Sequence, residues 1–150
     1  MGNVFNIAKK LCEANGWGAS NLKLQKTLYL SQLLSIGKRQ KPLFDAGFEA
    51  WMYGPVCPPV YNEFKMFGSK PVEEWAFPNI KNITDLEEEN EFIKWVVSLL
   101  REKTSFNLVA LTHRKGTAWD KRFVPGLRNS ITEHDMLEEY RMFWTDNSNE

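Results

Sequence analysis

The stretch Phe48-Glu49-Ala50-Trp51-Met52-Tyr53-Gly54-Pro55-Val56, running on through Cys57-Pro58-Pro59-Val60-Tyr61, decides how this chain is read. Alternation of apolar with polar or amphipathic residues over 48–53 predicts a short half-buried strand. Gly54-Pro55 ends it, because proline fixes φ and has no N–H for a ladder. Pro58-Pro59 marks a helix start, since first-turn amides have no intrahelical partner to lose. A strand, a rigid aromatic corner and a helix, with no acid, base or nucleophile at the turn, are built to position surface. That favours recognition over chemistry.

Upstream, Ser20 caps a helix running to about Ile36. Leu22, Tyr29, Leu33 and Ile36 share one face, while Leu24, Leu28, Leu30 and Leu34 occupy others. A helix apolar over most of its circumference belongs at the centre of a domain. Before it, Asn3 caps a helix to about Asn15, with Val4, Ile7, Ala8 and Leu11 on one side and Gly16 as terminator. Residues 37–47 read as a loop carrying Lys38, Arg39 and Lys41.

Downstream, a helix over 58–67 aligns Val60, Phe64 and Phe67. Residues 68–84 lack helical periodicity, with Pro71, Trp75, Phe77 and Pro78 inside them and room for a short strand at 79–83. Thr84-Asp85-Leu86-Glu87 is a capping box that opens a helix to about Arg101, lined by Leu86, Ile93, Val97 and Leu100. Glutamates at 87, 88, 89 and 91 suit the positive end of its dipole and read as a solvated face. Thr104 or Ser105 starts a short helix stopped near Gly116, and a helical turn follows around Trp119. Thr132 caps a last helix to about Phe143, with Ile131 and Met136 spaced as a hydrophobic staple. The expected fold is mainly α: one compact domain over 1–144, six to seven helices, a small β element near 47–53, and a flexible tail over 145–150.

Composition narrows the function classes. At 150 residues the chain can bury about 70% of its unfolded surface as one domain. Nineteen basic and nineteen acidic residues give zero net charge, which disfavours a nucleic-acid binder driven by counterion release. Basic clusters at Lys9-Lys10, Lys38-Arg39-Lys41 and Arg114-Lys115 with Lys121-Arg122 then read as a solvated rim. Two cysteines give no disulfide framework, and neither a secretory leader nor an 18-residue apolar span is evident, so a cytoplasmic location is expected.

Catalytic constellations are thin. Cys57 with His113 could form the thiolate–imidazole pair of a small hydrolase. The alternative, which the sequence favours, is a buried small thiol beside prolines and a structural histidine. Cys12, Cys57, His113 and His134 lack metal-ligand spacing, and no glycine-rich phosphate loop occurs, so neither metal nor cofactor is expected. Thr112-His113 with Trp119 reads as a buried network, and Gln25-Lys26 as a polar pair that satisfies nearby backbone. Trp51, Tyr53 and Tyr61 remain open between two roles: anchors for a partner, or side chains covered within the domain.

Three ordered blocks carry a family resemblance: LKLQKTLYLSQ at 22–32, FEAWMYGPVCPPVYNEFK at 48–65 and ALTHRKGTAW at 110–119. Together they resemble the Panacea domain, also called SocA/GepA-like, from about Val4 to Phe143. Thr27-Leu28-Tyr29-Leu30, where the family often has a more aromatic run, and Cys57, where it often has an aliphatic residue, are departures outside its defining positions. The resemblance implies an antitoxin of a bacterial or prophage toxin–antitoxin pair. It would bind a cognate toxin encoded nearby, or act as an adaptor delivering that toxin to an unfoldase–protease. Homo-oligomerisation is compatible, and promoter binding would need a helix-turn-helix that is not evident. With no separate recognition module, the domain surface must bind, and the candidates are Trp51, Tyr53 and Tyr61 with Trp75 and Phe77 beside them.

Overall fold

The computed structural model describes residues 2–78, 87–101 and 103–145. The first half holds α1 (Val4–Ala14), α2 (Asn21–Arg39), β1 (Phe48–Trp51), β2 (Gly54–Val56) and α3 (Pro58–Phe64). The second holds α4 (Glu87–Leu100), α5 (Ser105–His113), α6 (Ala118–Arg122), β3 (Ser130–Ile131) and α7 (Glu133–Phe143). Single 3-10 turns occupy Lys65–Phe67 and Glu74–Ala76. This is a mainly α fold of seven helices among the described residues, with one small antiparallel sheet, as the sequence predicts.

Helix α2 sits at the centre, packed by α1, α3, α4, α5, α7 and β2. Ser20 caps it by accepting from the Lys23 amide at 3.2 Å. Leu24, Leu28, Tyr29, Leu30, Leu33 and Leu34 are buried all round it. Each such side chain contributes about 1.5–3 kcal/mol relative to exposure, so α2 dominates the core. Leu22 departs from its predicted face and is 38% exposed. The helix also runs past Ile36 to Arg39, ending at Gln40 in a left-handed conformation, so 37–39 are helical rather than loop. Gln32 then fastens the returning chain: its Oε1 accepts from the Leu43 and Phe44 amides at 2.7 and 3.2 Å. Its Nε2 donates to the Phe44 carbonyl at 2.8 Å.

The aromatic corner differs from its sequence reading. β1 ends at Trp51, Met52 and Tyr53 form the turn, and Gly54-Pro55-Val56 is a second strand paired antiparallel to β1. Strand order is β2-β1-β3, which leaves β2 at an edge, where proline is tolerated. Pro55 lies opposite Ala50, whose amide turns the other way to the Asn129 carbonyl at 2.8 Å. Pro55 therefore lacks an N–H only on the outer side. Phe48 and Ala50 point inward, whereas Met52, carried into the turn, is 66% exposed.

Helix α3 begins at the two prolines and buries Val60 and Phe64, then tightens into the 3-10 turn Lys65–Phe67. On α4, Ile93, Val97 and Leu100 are buried as predicted. The Thr84 capping box, Leu86, the 79–83 strand and the tail beyond 145 lie outside the described residues. The glutamate face is not wholly solvated. Glu89 is buried and pairs with Arg39 at 3.0 Å, while exposed Glu88 meets Lys41 at 2.9 Å. The acidic helix start thus neutralises the basic end of α2. Thr104 with Asn107, and Thr132 with Asp135, form full capping boxes on α5 and α7. Ile131 and Met136 are both buried, consistent with the staple.

Candidate partner-binding groove

The hairpin turn, the start of α2, the end of α3 and the 123–128 loop enclose a groove of about 730 Å³. Trp51 and Tyr61 form its inner wall, half-buried and edge-to-face at 4.9 Å and 68°. The Arg128 guanidinium lies 4.0 Å from the Trp51 ring centre, and Trp51 Nε1 donates to Glu49 at 2.8 Å. At the turn, Met52 and Tyr53 are 66% and 67% exposed. Leu22 and Leu127 add apolar wall, which explains why Leu22 leaves the core.

The turn is rigidly seated. Trp119 Nε1 donates to the Trp51 carbonyl at 2.5 Å. Lys26, wholly buried, donates to the Pro55 carbonyl at 2.9 Å, and burial lowers its pKa from the ordinary 10.5 to about 7. Gly54 lies directly over it at φ 118°, and a Cβ there would come within 2.9 Å of Lys26 Cε. The positive φ favours glycine, and a side chain there would also push Lys26 from its place beneath the turn. Gln25 accepts from the Cys57 amide at 2.8 Å and donates to Asn21 at 3.0 Å. Asn21 in turn donates to the Tyr61 carbonyl at 3.2 Å. The Gln25-Lys26 pair thus holds both sides of the corner through backbone groups, as its position in an apolar helix suggests.

The third sequence block is the buttress behind the groove. His113 Nδ1 lies 2.8 Å from the Val109 carbonyl, and since a carbonyl only accepts, this nitrogen carries the proton. Its ring meets Trp119 edge-on at 3.8 Å. Burial depresses the His113 pKa, and the nearby Lys26 charge depresses it further. Thr117 Oγ1 donates to the Thr112 carbonyl at 3.0 Å, joining α5 to α6.

The structure brings together three of the five predicted contact residues: Trp51, Tyr53 and Tyr61. Trp75 and Phe77 do not line the groove. Trp75 is 69% exposed against Phe67, and Phe77 packs on Trp17 and Phe64 at 5.8 and 4.5 Å. Sequence reading missed Leu22, Phe123, Leu127 and Arg128. The only signal for the last two is the Pro125-Gly126 turn that presents them.

Cys57 is buried, and desolvation pushes its thiol up to about 11, the opposite of an activated nucleophile. Cys12 is pushed up to about 12 for the same reason. Among the described residues no group of three or more His, Cys, Asp or Glu could hold a metal ion, and no helix is long and apolar enough to cross a membrane. Most members of the basic clusters meet local partners: Lys9 with Glu74 at 3.7 Å, Arg114 over the Phe143 ring, Arg122 with Asp135 at 2.8 Å.

Residues 24–120, well over half the chain, match the family model described as "Antitoxin SocA-like, Panacea domain". The match runs from α2 into α6, and so includes Lys26, Trp51, Tyr53, Tyr61, His113 and Trp119. A curated relative, antitoxin SocA of Caulobacter vibrioides (strain NA1000 / CB15N), is 32% identical over 109 residues. That alignment covers 67% of this chain and 58% of the relative, so the chain spans less than two thirds of the relative's length. No solved structure matches. The chain belongs to the SocA-like antitoxin family of Panacea-domain proteins.

Proposed function

We propose that this chain is the antitoxin of a toxin–antitoxin pair and neutralises its cognate toxin, encoded nearby, by direct binding at the hairpin groove. One observation carries the reading: two large side chains, Met52 and Tyr53, are two-thirds exposed on a turn pinned by Trp119 and Lys26. Exposed apolar groups on a fixed backbone lose little further entropy on binding, which suits them as anchors. The role is binding rather than bond-breaking, consistent with the unactivated Cys57 thiol and with family membership. The binding unit is the domain over 1–144, whose first and last helices both pack on α2.

Neutralisation then covers the toxin's active surface or holds an inactive state. Expressing each neighbouring reading frame alone and with this chain tests the reading. One frame is expected to arrest growth alone and to be relieved by the chain. Toxin half-life is expected to stay unchanged, whereas shortening would select delivery to a protease. If every neighbouring frame is harmless when expressed alone, the reading fails.

A further inference from the structure

We propose that the groove receives an acidic, apolar-bearing segment of the partner polypeptide. Its lining includes two exposed cations, Lys65 and Arg128, and no aspartate or glutamate. The chain as a whole is balanced, with 19 basic and 19 acidic residues, so this asymmetry is local. Some cations elsewhere, Lys9, Arg39, Lys41, Lys94 and Arg122, meet a carboxylate within 4.0 Å, and others such as Lys23 and Lys70 lie outside the groove. Among the described residues Lys65 and Arg128 meet none.

The two cations would act in different ways. Arg128 rests over Trp51 and has no hydrogen-bond acceptor among the described residues, so its N–H fork is available to a carboxylate. Lys65 is exposed on the wall formed by the 3-10 turn. Lys26, sealed beneath Gly54 and bonded to the Pro55 carbonyl, holds the turn rather than meeting the segment. Leu22, Met52, Tyr53 and Leu127 line the same groove and offer exposed apolar surface. A nucleic-acid strand would want a continuous track of exposed cations along its phosphates, and only two are exposed here.

This inference rests on the groove being the partner-binding surface, but its test needs no toxin. The probe is the peptide acetyl-Glu-Leu-Trp-Asp-Leu-Glu-amide, compared with its Gln/Asn counterpart and a thymidine dodecanucleotide. Binding to the full chain is followed by methionine-methyl NMR, with Met52 in the groove and Met142, on α7, as the internal control.

The acidic peptide is expected to move the Met52 methyl, leave Met142 in place, and bind about tenfold tighter than the amide peptide. The preference should shrink about fivefold from ~50 to ~300 mM salt. It should vanish in Lys65→Glu/Arg128→Glu, whose changed positions are both exposed and so leave folding intact. Equal binding of the two peptides, a silent Met52, or a Met52 shift at lower concentration of the oligonucleotide would overturn it. A toxin that binds the double variant as well as the parent would reject the acidic segment yet leave the antitoxin reading standing. Harmless neighbouring frames together with intact peptide preference would do the reverse.

Discussion

Lys26→Met is expected to raise the melting temperature at about pH 6 and to lower it at about pH 10. Lys26 is completely buried, with a neutral carbonyl as its hydrogen-bond partner, and desolvation brings its pKa down to about 7. The unfolded lysine holds its proton to about pH 10.4. Between these values the unfolded state binds more protons, so the parent gains stability as pH rises through that window. Below it, the full cost of burying an ammonium is present, about 3–5 kcal/mol. Methionine removes the charge at similar length but leaves the Pro55 carbonyl unpaired, which costs about 1–3 kcal/mol.

The charge term wins in acid and the lost hydrogen bond wins in base. His113, the titratable neighbour whose pKa Lys26 lowers, also has a depressed pKa through burial, so a smaller slope of the same sign survives below about 6.5. Calorimetric melting from about pH 5 to about pH 10 should show the two curves crossing. Parallel curves would mean that Lys26 carries no buried charge.

Gly37→Ala should be the most damaging single-methyl change in the helical body. A Cβ at 37 would overlap Cγ and both Cδ atoms of Tyr140, the root of the ring rather than its movable tip. Tyr140 belongs to α7, which forms the largest interface with α2. Alanine improves helix propensity by about 1 kcal/mol, and forced overpacking costs about 1–3 kcal/mol or more. A net loss of about 2 kcal/mol lowers the melting temperature by about 4–8 °C for a chain this size. Adding Tyr140→Leu should recover at least half of it. An unchanged melting point in Gly37→Ala would show that the helices separate more freely than this packing implies.

Much of the fold is legible because local rules agree with it. Asn3, Ser20, Thr104 and Thr132 cap the helices they predict, each through its own side-chain oxygen. The all-round apolar pattern of α2 announces the central helix because burial on every side leaves no polar face. The hairpin was less legible. Pro55 argues against a strand by its missing N–H, and only the edge position of β2, a tertiary fact, removes the objection. Glu89 likewise reads as solvated on its own helix, because its partner Arg39 is fifty residues away.

The groove was half legible. Trp51, Tyr53 and Tyr61 come from one continuous segment and are visible together. Leu22, Leu127 and Arg128 come from distant segments that periodicity cannot join. Trp75 and Phe77, near in sequence to the corner, pack instead on Phe67 and on Trp17 with Phe64.

The most direct measurement is the affinity of the purified neighbouring toxin for Met52→Ser/Tyr53→Ser, compared with the parent chain by titration calorimetry. Both side chains are two-thirds exposed, so their loss should leave the melting temperature within about 2 °C of the parent. If the hairpin turn is the contact surface, affinity falls by about tenfold or more and protection from the toxin is lost. Undiminished affinity in the folded double variant would contradict the account.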